Sequence, residues 1–331
     1  MRNLLIFLAA LLGTQGLFFG YAPLPCSLDG RMNAFLENKD DYEVLFVGSS
    51  LTQLQVIPSE IREESGIRSF NLGLNSARGH EMNQIIAKVL ASQPAKLKAI
   101  VIEARPWYPA RSDVRNEPYS PRMTWWHTPG ETVSFLRTMR LRPDGPAAKE
   151  QVPLHLKAAL ARWANMGAGL AAFTHNCKGP PHEDGWTPLI KDNPSEKSED
   201  KKQRLRARDR WVKNPRSADD YATFHALQRT RFEQYNLNAF DQRDRRLEAA
   251  GVQSVYLLAP TWKSYANDRA LQSAGRMTRL IDFADPKSHP EFFAFENRRD
   301  KSHLNLEGSR LYSRAIANRL REFLGEEQPS G

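Results

Sequence analysis

The amino-acid sequence predicts an α/β fold built on a parallel β-sheet. Three observations carry that expectation. Val44-Leu45-Phe46-Val47 is an unbroken apolar run of the kind buried on both faces of a sheet, and it stops at Gly48-Ser49-Ser50-Leu51-Thr52. Strand-like and helix-like stretches then alternate up to residue 103, the order of consecutive βαβ units. After a long interruption the alternation returns near residue 219 and runs almost to the C-terminus.

The chain has 331 residues, 40% of them hydrophobic and 26% charged, the composition of a globular protein with one large domain or two small ones. A net charge of +9 favours anionic surroundings: acidic glycans, phospholipid headgroups or nucleic acid. Zinc-finger spacing, an aromatic-rich RNA-binding signature and a basic recognition helix are all missing, so nucleic acid is not expected as a partner. Neither a Walker lysine nor a GxGxxG turn follows a strand, and no cofactor is expected. Cys26 and Cys177 lack metal-ligand spacing; outside the cytoplasm they are either two separate thiols or one bridge.

In chain order, Met1-Arg2-Asn3 gives a positive start, followed by apolar residues 4–13 and again 17–22. A helix over residues 4–22 is just long enough to cross a bilayer, so residues 1–25 read as an N-terminal anchor. A cleaved signal peptide competes, although its small-x-small sites are weak and Pro23 follows Ala22. Pro25 occupies the position before Cys26 where a lipoprotein signal needs a small residue. Either reading exports residues 26–331 as the body of the protein.

Residues 23–42 read as a linker with a short helical piece around residues 32–36. A helix is expected within residues 53–65, with Pro58-Ser59-Glu60 as its start and Gly66 beyond its end. Residues 68–72 form a short strand closed by Gly73, and residues 77–92 a helix with Met82, Ile85, Ile86 and Val89 on its core face. Residues 97–103 are the third strand, stopped by Pro106 and Pro109. An insertion at about 106–216 breaks the pattern. Within it, Thr128-Pro129-Gly130-Glu131 is a capping box for a helix to residue 140, residues 153–174 are mildly amphipathic, and residues 178–216 read as a polar, mobile loop. This insertion could serve as a lid, a glycan-binding surface or a docking face for a membrane partner, its Trp and Tyr residues making its own small core. A long helix over 219–250, a strand at 252–259 ended by Pro260, and a fifth strand at 279–283 follow. The closing helix, 306–324, has Asn305 as its N-cap and Leu311, Ala315, Leu320 and Phe323 near one face.

Chemistry gathers at two places. Asp300-Lys301-Ser302-His303-Leu304-Asn305 puts a carboxylate three residues before an imidazole, on the same side of a turn. That pairing makes a general base: the imidazole takes a hydroxyl proton, and the carboxylate selects its tautomer and stabilises its charged form. Ser50, at the end of the first strand, is where a parallel sheet presents residues to a ligand.

Taken together, these segments resemble the SGNH, or GDSL-type, hydrolase superfamily. Gly48-Ser49-Ser50-Leu51-Thr52 is similar to its first block, with Ser49 in place of aspartate; Phe70-Asn71-Leu72-Gly73 is similar to the second; Asp300-x-x-His303-Leu304-Asn305 is similar to the last. The resemblance covers residues 42–105 and 217–324. It implies a flavodoxin-like parallel sheet, Ser50 as nucleophile, His303 as base, Asp300 as its orienting acid and the Gly73 amide as an oxyanion donor. The third block's Gly-x-Asn-Asp is absent and Glu103-Ala104-Arg105-Pro106 stands there instead; either the amides of Ser50 and Gly73 suffice as oxyanion donors, or Asn75 or Arg105 supplies a third. With the N-terminal apolar segment, the chain looks like the exported SGNH-like proteins of cell-envelope polymer acylation, the group of the D-alanyl-lipoteichoic-acid transfer protein and the alginate O-acetylation proteins. That likeness implies an acyltransferase of the bacterial inner membrane with its catalytic domain periplasmic or extracytoplasmic. Its acceptor would be a polysaccharide or other envelope polymer, and its partner a multi-spanning membrane O-acyltransferase. A carbohydrate esterase with the same triad, and a non-catalytic polysaccharide-assembly protein on the same fold, are the alternatives.

Overall fold

A computed structural model describes residues 2–7, 9–10, 28–75, 77, 79–104, 183–187, 234–261, 265, 268, 272–273, 275–300 and 302–325. The chain divides into two compact units: Met1–Gly30 with Tyr108–Pro180, and Arg31–Trp107 with Pro181–Gly331. In the first, residues 2–7 and 9–10 are helical, and Leu4, Leu5, Ile6 and Phe7 each lie 59–62% exposed.

The second unit carries a five-stranded parallel sheet of order β2-β1-β3-β4-β5, consistent with a flavodoxin-like fold. Its strands are β1 (Val44–Val47), β2 (Ser69–Asn71), β3 (Ala99–Glu103), β4 (Gln253–Leu258) and β5 (Leu280–Asp282). All four residues of β1 and all five of β3 are buried, as strands covered by helices on both faces require. Register pairs Val44 with Ala99 and Val47 with Ile102, so Gly48 and Glu103 emerge side by side at the carboxyl ends. The strand order reverses between β1 and β3, and the crevice at such a switch point is where open α/β sheets bind their ligands.

One face of the sheet, carrying Val44, Phe46, Ala99, Val101, Val255, Leu257 and Ile281, packs against α2 (Ser50–Gln55), α3 (Pro58–Ser65) and α6 (Leu306–Leu324). The other meets α1 (Leu28–Glu37) and α5 (Gln234–Ala249), where Phe35 lies 5.8 Å from Phe70 and Phe240 stacks on Tyr256 at 4.9 Å. α4 (Gly79–Ala91) packs on β1, with Met82, Ile85, Ile86 and Val89 buried as expected.

The helical piece expected around residues 32–36 lies within α1, but the segment is no linker: its Arg31, Met32 and Phe35 are core residues. The helix expected to start at Pro58 and end before Gly66 is α3, whereas α2, ended by Val56 in extended conformation, was not expected. On α6 Leu320 is buried and Ala315 and Phe323 pack against the core as expected, but the fully buried stripe runs through Tyr312, Ile316 and Leu320, and Leu311 is 43% exposed. Asn305 caps α6 as predicted, accepting from the Gly308 amide at 2.9 Å. The helices expected at 128–140 and 153–174, the span over 4–22 beyond its first residues, the start of the 219–250 helix, Cys26 and Cys177 lie outside the described residues.

Candidate active site

β1 ends at Val47, and beyond Gly48 Ser49 has extended backbone and caps α2, its hydroxyl accepting from the Leu51 amide at 3.3 Å. Ser50 is therefore the first residue of a short helix, half-buried at the mouth of the switch-point crevice. Asn71, wholly buried on β2, donates to the carbonyls of Thr52 at 2.8 Å and Val56 at 2.7 Å, satisfying the end of α2.

The base comes from the other end of the chain. Residues 298–304 fold back on themselves: Arg298 and Leu304 form an antiparallel bridge, and the Arg299 amide donates to the His303 carbonyl at 2.9 Å. Leu304 is fully buried in the core, which anchors the loop next to His303. The Arg298 side chain, 2% exposed, donates to the carbonyls of Pro260 at 2.8 Å, Phe292 at 3.1 Å and Asp300 at 3.3 Å. It thereby ties the loop to the end of β4. Burial lowers the Arg298 pKa to about 10, an effect that the nearby Asp300 charge opposes.

These supports bring the three predicted catalytic groups into line. Ser50 Oγ lies 3.0 Å from His303 Nε2, and Asp300 Oδ2 and Oδ1 lie 3.0 and 3.1 Å from His303 Nδ1. Asp300 Oδ1 also accepts from the amides of Ser302 at 2.7 Å and His303 at 2.9 Å. Burial alone would raise the Asp300 pKa. The His303 hydrogen bond, its positive charge and the two amides outweigh burial and hold the carboxyl well below the usual aspartate range. An ionised Asp300 accepts the Nδ1 proton and leaves the Nε2 lone pair facing the serine hydroxyl, the tautomer that this network selects.

The oxyanion residues fare differently. The Gly73 amide donates to Asn71 Oδ1 at 2.8 Å, so in this conformation it closes a turn rather than facing the crevice as a free donor. Asn75 is exposed on the following turn, and Arg105 lies outside the described residues. Among the described residues no group of three or more His, Cys, Asp or Glu side chains is placed to hold a metal ion.

Two contributors escaped the sequence reading. Glu103, 1% exposed, accepts from the Ser49 amide at 2.7 Å, the Ser49 hydroxyl at 2.6 Å and the Thr52 hydroxyl at 2.8 Å. The available signal was a glutamate ending an otherwise apolar strand, on the same face as Ala99 and Val101. The other is the segment 183–187, which was expected to belong to a mobile loop. Its Asp184 carbonyl accepts from the Asn71 amide at 2.8 Å, docking the segment on the edge strand β2. Trp186, 9% exposed, donates through Nε1 to the Leu54 carbonyl of α2 at 3.2 Å. Gly185 permits this docking: its φ is +81°, and a side chain there would run into Asn71 and Phe70.

The chain matches no protein-family model and no curated protein.

Proposed function

We propose that the chain is an exported, membrane-tethered serine acyltransferase on the SGNH hydrolase fold, which carries an acyl group, acetyl in the simplest case, to an envelope polysaccharide. The observation that supports the reading most is the hydrogen-bonded chain Ser50–His303–Asp300, assembled from residues 253 positions apart in sequence. Ser50 Oγ attacks the acyl carbonyl while its proton passes to His303 Nε2. The bond to the leaving group then breaks, and the leaving group takes that proton. In the second half-reaction a sugar hydroxyl gives its proton to His303, attacks the acyl-serine carbonyl and frees Ser50. Asp300 stays ionised throughout and stabilises the imidazolium.

The N-terminal apolar residues Leu4, Leu5, Ile6 and Phe7, exposed on their helix, are compatible with a lipid-facing segment, although no helix among the described residues is long and apolar enough to cross a membrane. The net charge of +9 suits an anionic acceptor. A multi-spanning membrane O-acyltransferase is the proposed acyl donor's source.

The test is turnover of a chromogenic acetyl ester by the full chain in detergent, with and without candidate glycans. Wild type is expected to release the chromophore, and the acyl group to partition onto the glycan. Ser50→Ala and His303→Ala are expected to be inactive. Release with no capture by any glycan would favour the esterase with water as acceptor; equal release by Ser50→Ala would contradict both.

A further inference from the structure

We infer that Glu103 is a positioning residue for Ser50: its buried carboxylate holds the turn from which the nucleophile projects, acting through Ser49 and Thr52 without touching the reacting atoms. The inference rests on the reading of Ser50 as nucleophile. Glu103 Oε2 takes the Ser49 amide and the Thr52 hydroxyl, and Oε1 takes the Ser49 hydroxyl, so both flanks of Ser50 are pinned to one group. The partners lie 51 and 54 residues away, so the contacts join β3 to the β1–α2 turn directly across the switch point. A buried carboxylate is costly unless it is fully hydrogen-bonded, and a strand made only for packing would end on Val or Leu like its neighbours. Three charge-assisted bonds of 2.6–2.8 Å meet that cost here. Neighbours also confine the carboxylate. A Cβ at Gly48 would lie 2.6 Å from Glu103 Oε2, so only glycine leaves it room. The fully buried phenol of Tyr312 on α6 has its pKa raised by burial first and by the Glu103 charge second.

Glutamine separates shape from charge. In Glu103→Gln the amide oxygen can accept from the Ser49 amide and the Thr52 hydroxyl, while its NH2 donates to a reoriented Ser49 hydroxyl. Glu103→Ala removes every one of these bonds.

The experiment measures, on the full chain in detergent, the rate of Ser50 phosphonylation by a fluorophosphonate. In that step the serine oxygen–phosphorus bond forms, fluoride leaves and His303 takes the proton. Thermal midpoints, determined in parallel, fix a temperature at which each variant is folded. Glu103→Gln is expected within about threefold of wild type, one weak hydrogen bond's worth. Glu103→Ala is expected to be about 100-fold slower, the effect of misplacing a reacting atom by about 1 Å. Should Glu103→Ala not fold, the double variant Ser49→Ala/Thr52→Val keeps the carboxylate and removes its hydroxyl partners; it is expected to be slowed by about tenfold, a little over 1 kcal/mol of lost hydrogen bonding. Wild-type rates in folded Glu103→Ala or in the double variant would overturn the inference. So would Glu103→Gln being as slow as Glu103→Ala, because charge rather than the bonding pattern would then matter. Failure of wild type itself to be labelled at Ser50 would instead overturn the nucleophile reading.

Discussion

A serine hydroxyl is a weak nucleophile at neutral pH until a base takes its proton. In the proposed mechanism that base for Ser50 is His303, 3.0 Å away, made usable by Asp300 on its other nitrogen. Asp300→Asn should therefore fold and still fail: the carboxamide NH2 favours the tautomer whose Nε2 carries a proton toward Ser50. A kcat loss of about 10⁴-fold with a nearly unchanged KM is expected in ester hydrolysis. The same residue makes a pH prediction. Its folded pKa is depressed below the unfolded value of about 3.9, so its contribution to stability is complete above that value and is lost as pH falls toward the folded one. Urea midpoints of wild type and Asp300→Asn should differ at about pH 6, and the difference should shrink steadily as pH falls below about 4. A difference that stayed constant would mean the carboxylate charge is irrelevant to folding.

At the scale of elements, the site depends on a short helix and a short loop being held from outside. α2 is held through the Ser49–Glu103 contact, the Asn71 amide and Trp186; the 298–304 loop is held by Arg298 and by Leu304 in the core. Gly48→Ala should push Thr52 and Glu103 apart, costing about 1–3 kcal/mol of overpacking in a denaturation experiment and lowering activity at temperatures where the variant is folded. Leu304→Ala should cost about 2–5 kcal/mol and loosen the loop end that carries His303. Here the limits of sequence reading become physical. β1, β3 and α6 were legible because burial on both faces and a capping asparagine leave local patterns. Leu311 was misassigned because its hydropathy matched the core, while the stripe's period ran through Tyr312 instead. Glu103 and Trp186 were missed because their partners lie 51 to 132 residues away, and no local period encodes such pairings.

For the whole molecule, the order β2-β1-β3-β4-β5 sets Ser50 and Glu103 at one switch point, and the 298–304 loop ahead of α6 returns His303 to it from the far end of the chain. The proximity of Ser50, His303 and Asp300 was readable from motif because Ser50 follows an apolar strand and Asp300 and His303 share one short segment ahead of a capped helix. The oxyanion donors were not: the Gly73 amide is engaged by Asn71, a contact that only the folded turn creates. Tethering is a separate expectation of the account. The full chain should cosediment with anionic lipid vesicles, and Leu5→Ser with Phe7→Ser should weaken that association; unchanged cosedimentation would remove the exposed apolar residues from the membrane argument. The central claim, that Ser50 carries the acyl group, is tested most directly by intact mass after brief exposure to an activated acetyl ester. The account predicts one added acetyl group on wild type, mapped to Ser50 and absent from Ser50→Ala. An unmodified wild type, or an equal adduct on Ser50→Ala, would contradict it.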